Sequence, residues 1–559
     1  MMLDYDLITV GNHELYREEI SKYEYENLVP RYGDHFISTN VQYLNDDDEW
    51  VVFGNNTHRY FETKINKYKI LSFSFMFDFK MGNKRVNVIP ITEIIKQSWF
   101  IELVEDYSLN YEVDAIVLFG HIPVAHDWFE MSQLHNFFRS HFPTTYIQYL
   151  GGHSHIRDFS ILDYLSTGLQ SGRYCETVGF LSINDLPTVE ENRENYLSNN
   201  VHRKYIDFNL HSFMHHSNHT VLDDFNTEKG LFVSKELARY SKDLQLDEAY
   251  GTVPHSYYIS AADYQNKDEK SLLRFLEDEI LIQLQPKSCN NKIDKLPTLS
   301  DSNDRIILIN TGGIRYDLYK GEFNRNSLFT VSPFQNMWRS LPSVPTNIAL
   351  KLKGILNDRE YIINSDTGIN LKSPHQYAIE RKHDIINPNK ISSNNANDFN
   401  ANVNESKVSL NSNYKSNANN DENNAKDNEV FVVNNLQSNN NHLTNFKGDH
   451  RLPLSYGYTT TDDSGIHGDD TIHRRLMSYY VPNVIQSHET VSKESLSEFT
   501  TVVYYDFIEP FVLDALREAC DGDEELFERL SIAVQYYNDC PVEYNLGQLL
   551  KNYAVNNWN

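Results

Sequence analysis

The chain is short of positive charge. Its 559 residues carry 50 Lys and Arg against 78 Asp and Glu, a formal net charge of −28. A nucleic-acid backbone is bound by cations that replace its condensed counterions, and this chain has no surplus of them, which argues against nucleic acid as a partner. A small phosphate ester stays open, because bound metal ions outweigh the global field. Long apolar runs are also missing. Stretches such as Ile306–Ile309 fall far short of the about 20 residues that a membrane span needs. Cysteine is scarce and scattered, with Cys175, Cys289, Cys520 and Cys540 forming no CxxC pair. The common zinc motifs are thereby excluded, and the four read as buried free thiols, with disulfides as the alternative. Met1–Val10 carries acids and no basic stretch before an apolar one, so no signal peptide is visible there. No internal repeat is evident.

What is present is the length for two or three domains at about 100–200 residues each. The first half alternates strand and helix. Asp6–Val10, Tyr68–Phe77, Ala115–Phe119 and Thr144–Leu150 read as strands, and Trp128–Ser140 as a helix between two of them. Residues around His202–His219 are polar and read as a connector, with His215, His216 and His219 on a solvated loop rather than in a metal tract. From about Gly251 a second unit begins, in which Lys270–Gln285 reads as an amphipathic helix and Arg305–Asn310 as a buried strand. Pro388–Asn445 is dominated by Asn and Ser. Such a stretch buries too little apolar surface to offset its ordering entropy, and a disordered insertion is expected there. Tyr504–Tyr553 looks helical again, with Phe511–Ala519 amphipathic. The expected division is 1–205, a connector 206–250, and 251–559 with the insertion 388–445.

Three motifs in the first half share one design, in which a strand ends, a glycine turns the chain and a metal-type side chain follows. They are Gly11-Asn12-His13-Glu14, Gly120-His121-Ile122-Pro123 and Gly151-Gly152-His153-Ser154-His155. Imidazole nitrogens and a neutral amide oxygen suit borderline cations such as Zn, Mn or Fe. The glycines let the backbone come close to an ion. One such motif alone is weak, whereas three in this order are specific together.

The series GNHE, GH, GGHSH resembles the calcineurin-like metallophosphoesterase superfamily. Asn310-Thr311-Gly312-Gly313-Ile314-Arg315, Ser332-Pro333-Phe334-Gln335-Asn336 and Gly468-Asp469 narrow the resemblance to the 5′-nucleotidase family. It covers nearly the whole chain outside the Asn-rich stretch. The resemblance implies a two-domain α/β (α+β) fold: an N-terminal metallophosphoesterase β-sandwich flanked by helices, and a C-terminal α/β substrate-binding domain that carries the insertion. It implies two divalent ions, Zn, Mn or Fe, about 3.5–4 Å apart around an activated hydroxide. Asn12, His121 and His153 would hold one ion and His155 the other. His13 would sit at the reacting phosphate. Asn310 and Arg315 would meet phosphate or ribose oxygens, Gly312 and Gly313 would let the backbone approach, Phe334 would stack on a base, and Asp469 would accept a hydrogen bond from the substrate.

Three departures from that pattern stand out. The superfamily places an Asp-x-His and a Gly-Asp-x-x-Asp motif upstream of GNH, and neither precedes Gly11. The expectation is therefore a truncated start, with one metal shell nearly whole, the bridging carboxylate and any leader lost, and the chain inactive as it stands. Tyr16 occupies the place of an acid that orients the histidine of GNH in relatives. Asp463 falls near the place of a second base-stacking aromatic, which leaves Phe334 alone. The plainer readings are Asn12 as a left-handed turn residue, Arg315 as a partner of Asp317, and Phe334 as core.

The activity expected from the resemblance is hydrolysis of a phosphate monoester, a nucleotide above all, with a small-molecule partner and no transmembrane segment. A non-catalytic binding relative, a phosphodiesterase and a nucleotide-diphosphate hydrolase are the alternatives. Members of the family are secreted, surface-bound or lytic, and the Asn-rich stretch resembles those of yeast proteins, which favours the vacuole or the secretory pathway.

Overall fold

In the computed structural model the described residues are 4–125, 128–154, 157–172, 175–187, 196–291, 304–359, 479–489 and 497–558. His155, Asp469 and the expected insertion 388–445 lie outside them. By contacts the chain divides into one unit of Met1–His383 with Tyr456–Asn559, which holds all described residues, and a second of Asp384–Ser455.

The first half is organised on a six-stranded sheet in the order His58–Glu62, Lys69–Met76, Ala115–His121, Tyr146–Gly151, Ser166–Ser171, Arg157–Asp163. The four inner strands run parallel and the two edges antiparallel. Parallel neighbours need a crossover, which the helices Ser98–Asn110 and Phe129–His141 supply. Lys69–Met76 is buried at every residue after Lys69, as expected of a strand covered on both faces. Phe73 packs on Phe100 and Phe138 at ring distances of 5.5 and 5.2 Å, so strand and both helices share one aromatic core. The strands read at Tyr68–Phe77, Ala115–Phe119 and Thr144–Leu150, and the helix read at Trp128–Ser140, are present within a few residues. Asp6–Val10 is not a strand. Only Ile8 pairs, by one parallel bridge to Phe36, and a strand does not form without a partner along its length.

The second half carries a five-stranded sheet in the order Val484–Glu489, Asp304–Asn310, Phe499–Tyr505, Trp338–Pro345, Gln535–Asn538. Asp304–Asn310 is buried at every residue and pairs antiparallel with Val484–Glu489 and parallel with Phe499–Tyr505. The sheet is completed by strands far apart in the chain, and two asparagines clasp the place where the chain leaves and returns. Val484 N donates to Asn357 Oδ1 at 2.9 Å, and Asn483 Nδ2 donates to the carbonyls of Leu356 and Arg359 at 3.0 and 2.9 Å.

Several expectations are corrected. Lys270–Gln285 is helical but not one regular helix. It winds as an α turn Leu272–Phe275, a π turn Leu276–Ile280 and a 3-10 turn Leu281–Gln283. Leu272, Leu273, Phe275, Leu276, Ile280, Leu281 and Leu284 are all buried, so it lies wedged in the core rather than showing one apolar stripe. Within Tyr504–Tyr553 the helices Glu509–Ala519, Glu524–Ser531 and Leu546–Asn557 are interrupted by the strand Gln535–Asn538. The connector is helical as well, with Leu210–His216 and Glu228–Asp243 capped by Asn209 and Thr227. His215 and His216 end the first of these helices rather than lying on a loop. Cys289 and Cys540 form a disulfide across 251 positions, which the free-thiol reading missed, while Cys175 is free and exposed and Cys520 free and buried. Among the described residues no helix is long and apolar enough to cross a membrane.

Two measurements test this packing. Cys289→Ser is expected to lower the unfolding free energy by about 2–5 kcal/mol in urea, because the bridge closes a long loop of the unfolded chain. An unchanged midpoint would show that the bridge does not form. Glu130, in the first turn of Phe129–His141, is wholly buried. Burial first and the neighbouring Asp78 second push its carboxyl up to about 7. Below pH 4.5 both folded and unfolded states hold the proton. Between pH 4.5 and 7 only the folded state holds it, so stability falls as pH rises and the loss is complete above 7. Glu130→Gln is expected to flatten that slope and to gain up to about 3 kcal/mol at pH 8. Thermal melts of both proteins from pH 5 to 8 read the difference.

Candidate active site

Three loops converge at the carboxyl ends of the first sheet, where open α/β sheets place ligands. His121 is the last residue of its strand. Gly120 before it has φ +148, and a Cβ there would stand 2.0 Å from the Phe75 carbonyl oxygen. Only glycine therefore allows the strand to turn and aim His121. A Cβ added at Gly11 or Gly152 would come within 3.4 and 3.5 Å of His121 Nδ1. Both loops thus pass beside one imidazole at ordinary contact distance, so packing on His121 does not itself require their glycines. His153 follows Gly152 in the left-handed region, φ +75, and stacks on Phe77 with ring centres 3.9 Å apart. Its ring centre lies 5.1 Å from that of His121.

Asn12 opens a single 3-10 turn, Asn12–Glu14, that Glu14 holds by accepting from Gly11 N at 2.9 Å. Asn12 is not left-handed, and only 2 % of it is exposed. Its Nδ2 donates to Tyr16 Oη at 3.0 Å, while its Oδ1 is buried with no hydrogen-bond partner. His121 Nε2 is buried and unpartnered too. An unmet buried polar atom costs about 1–3 kcal/mol, and these two belong to neighbouring loops, since a Cβ at Gly11 would lie 3.4 Å from the His121 ring. Burial, and then the charge of Arg315, lower the His121 pKa to about 4. A neutral imidazole offers a lone pair. Two imidazoles and an amide oxygen, with His121 and Asn12 buried, fit a divalent cation of the Zn, Mn or Fe type.

The second half reaches this place directly. Asn310 ends the buried strand, and Thr311–Gly313 turns behind it. Arg315 donates to the Gly312 carbonyl at 3.2 Å and to His13 Nε2 at 2.9 Å. A guanidinium only donates, so Nε2 accepts and the His13 proton lies on Nδ1. Burial first, Arg315 second and His121 third lower the His13 pKa to about 3. Phe334 stacks on His13 at 5.6 Å and 18°, and the Arg315 guanidinium lies 5.4 Å from the same ring centre. His13, Arg315 and Phe334, expected at phosphate and base, are therefore in mutual contact. At Gly313 an added Cβ would meet nothing closer than 3.7 Å, so packing inside the chain does not require that glycine.

Reading the sequence missed Phe77 beneath His153 and Phe507, whose ring stands edge-on to Tyr16 at 5.4 Å. Neither lies in a motif, and no local signal marks them. Among the described residues the one group of three or more His, Cys, Asp or Glu side chains with ligand atoms in mutual reach is Cys289, Asp539 and Cys540. Its sulfurs are bonded to each other, and the Asp539 carboxylate accepts from the Cys289 and Asn290 amides. It is a braced disulfide and no rival metal site.

Gly120→Ala is expected to cost about 3 kcal/mol or more, because the added carbon meets backbone rather than a movable side chain. Urea denaturation reads this loss. A variant of wild-type stability would show that the His121 turn shifts freely.

Residues 3–157 match the calcineurin-like phosphoesterase family, and residues 256–513 match the NAD nucleotidase C-terminal domain. An uncharacterised protein of Saccharomyces cerevisiae is 34% identical over 96% of this chain and 77% of its own length. A protein of Arthroderma benhamiae named as secreted is 27% identical over 100% of this chain and 78% of its own. Among solved structures, 5′-nucleotidase from Candida albicans is 35% identical, with a TM-score of 0.73 over 100% of this chain and 83% of that one. Motifs, fold and relatives agree: the chain belongs to the 5′-nucleotidase family of calcineurin-like metallophosphoesterases.

Proposed function

We propose that this protein is a metal-dependent phosphoric monoester hydrolase acting on nucleotides or related phosphate esters. The observation that carries this reading is the contact of His13 with both Arg315 and Phe334, beside the loops that carry Asn12, His121 and His153. It joins a cation site in the first half to an anion- and ring-binding pair in the second. We retain the division at 1–205, 206–250 and 251–559 as part of this proposal, with metal ligands in the first part and substrate contacts in the last. Asn12, His121 and His153 would hold one cation, and His155 would serve a second. When bound, such ions supply Lewis acidity and a hydroxide at neutral pH.

The chain's own residues do the rest. Arg315 presents two donors to phosphoryl oxygens. A phosphate that takes those donors frees His13 Nε2, and its negative charge raises the proton affinity of the imidazole that Arg315 had lowered. His13 then holds a proton at the phosphoryl group. Phe334 stacks on one face of a base, and a single stack contributes about 1 kcal/mol, which leaves base selectivity weak. The disulfide supports an oxidising compartment and, with the secreted relative, the secretory pathway or vacuole.

A second reading, a ligand-binding relative without turnover, is favoured by one observation. Among the described residues no carboxylate joins Asn12, His121 and His153 in a cluster of ligands, and two close cations repel strongly without one between them. Phosphate release by the full-length gene product, with added Mn or Zn, decides between the two. The panel holds nucleoside monophosphates, NAD and bis(p-nitrophenyl) phosphate. Metal-dependent release from monophosphates is expected, lowered about 100-fold in kcat/KM by Arg315→Ala, the loss of one such charge contact. No metal-dependent release of phosphate or p-nitrophenol and no cleavage of NAD would sink the hydrolase reading in favour of the binding one. Release of p-nitrophenol from the diester, with no phosphate from the monophosphates, would assign a phosphodiesterase.

A further inference from the structure

Asn12 presents an amide with two unlike ends, and the structure fixes which end is met by a neighbour. Nδ2 donates to Tyr16 Oη at 3.0 Å. Oδ1 is buried and meets no donor among the described residues. The opposite orientation would aim two N–H groups at the place a cation occupies and would repel it. Glu14, the nearest acid in sequence, does not do this work, because its carboxylate is engaged by Gly11 N at 2.9 Å.

Tyr16 is itself firmly held. Its ring stands edge-on to Phe79 at 5.1 Å and 84°, to Phe507 at 5.4 Å and 80°, and to His13 at 5.4 Å and 63°. Phe79 belongs to the first half and Phe507 to the second, between the strand Phe499–Tyr505 and the helix Glu509–Ala519. A ring packed on three sides leaves its hydroxyl one position, so the acceptor that selects the amide orientation is pre-organised.

We propose that Tyr16 is a positioning residue for Asn12: it takes the amide N–H and so commits Oδ1 to a divalent cation. The inference rests on the reading of Asn12 as a cation ligand. It gives this chain a different device from an acid that orients the neighbouring histidine. Here the residue four positions after Asn12 acts on the ligand and touches the histidine only with its ring edge. Because Phe507 closes one side of that ring, seating of the second half helps to hold the ligand of the first.

The experiment measures Mn affinity by titration calorimetry on the full-length protein, its Tyr16→Phe and Asn12→Ala variants, and the double variant, with melting of the metal-free proteins alongside. Tyr16→Phe keeps the packed ring and removes the hydroxyl. Loss of an outer partner of a metal ligand weakens binding by about 10–100-fold. The expected result is a loss of that size in Tyr16→Phe with the metal-free melting temperature unchanged. The double variant is expected to bind no more weakly than Asn12→Ala, since the two residues act as one unit. The visible spectrum of the Co-loaded protein should also change in Tyr16→Phe. Wild-type affinity in Tyr16→Phe, or losses that add in the double variant, would overturn the positioning role and leave Asn12 a ligand. A fall in metal-free stability equal to the loss in affinity would assign Tyr16 a structural role instead. If wild type and Asn12→Ala both fail to bind Mn, it is the reading of the cation site that falls.

Discussion

Desolvation of His121 sets the terms for everything around it. The ring lies at the end of a buried parallel strand, with Nε2 meeting no hydrogen-bond partner among the described residues and its proton affinity lowered far below the ordinary range. Keeping a polar ring in that state is unfavourable unless something else is gained. The surrounding backbone is arranged to permit it. Gly120 lets the strand turn against Phe75, and the loops of Gly11 and Gly152 pass beside the imidazole. His153 is tilted onto Phe77, and Asn12 is pressed in with one oxygen unmet. Each feature alone would be a local defect. Together they bring two imidazoles and an amide oxygen to one place, with His121 held neutral there by burial.

The second half of the chain enters this place through one charged group. Arg315 lowers the proton affinity of both His13 and His121, and it sits against the ring that also faces His13. An anion arriving between them would exchange an imidazole for a phosphoryl oxygen on the same guanidinium. The stack of Phe334 on His13 would give way to a stack on whatever ring the ligand brings. The same three side chains therefore satisfy one another when alone and are all suited to a phosphate ester when it is present.

Much of this was legible because it is local. A strand, a glycine and a histidine in succession mark His121 and His153 without any tertiary information, and the buried strand before Asn310 announces itself by its run of β-branched residues. The rest depends on contacts that no window of sequence contains. His13 and Arg315 are 302 positions apart, and Cys289 and Cys540 are 251 apart. Phe77 looks like the tail of a strand until the left-handed turn at His153 brings an imidazole over it. Tyr16 was visible as a departure from the family pattern, but the use made of its hydroxyl was not, since that follows from where Phe79 and Phe507 pin the ring. The expected strand at Asp6–Val10 failed for a related reason, because β-forming residues make a strand only where a neighbour pairs with them. The connector histidines were placed on a loop because their neighbours are polar, and polarity does not exclude a capped, solvent-facing helix.

The asparagine clasp between residues 356–359 and 483–484 has a consequence for how this protein can change. Because the two ends of the intervening segment are fixed to each other, its length enters the stability of the second half only through the logarithm of loop closure, and each doubling costs about 0.6 kcal/mol. A lineage can therefore lengthen or shorten the Asn-rich stretch within that segment while the sheet that ends in Asn310 keeps its register. For protein engineering, that stretch, rather than the flank with Asp469 and the buried Val481, is where a foreign domain could be housed.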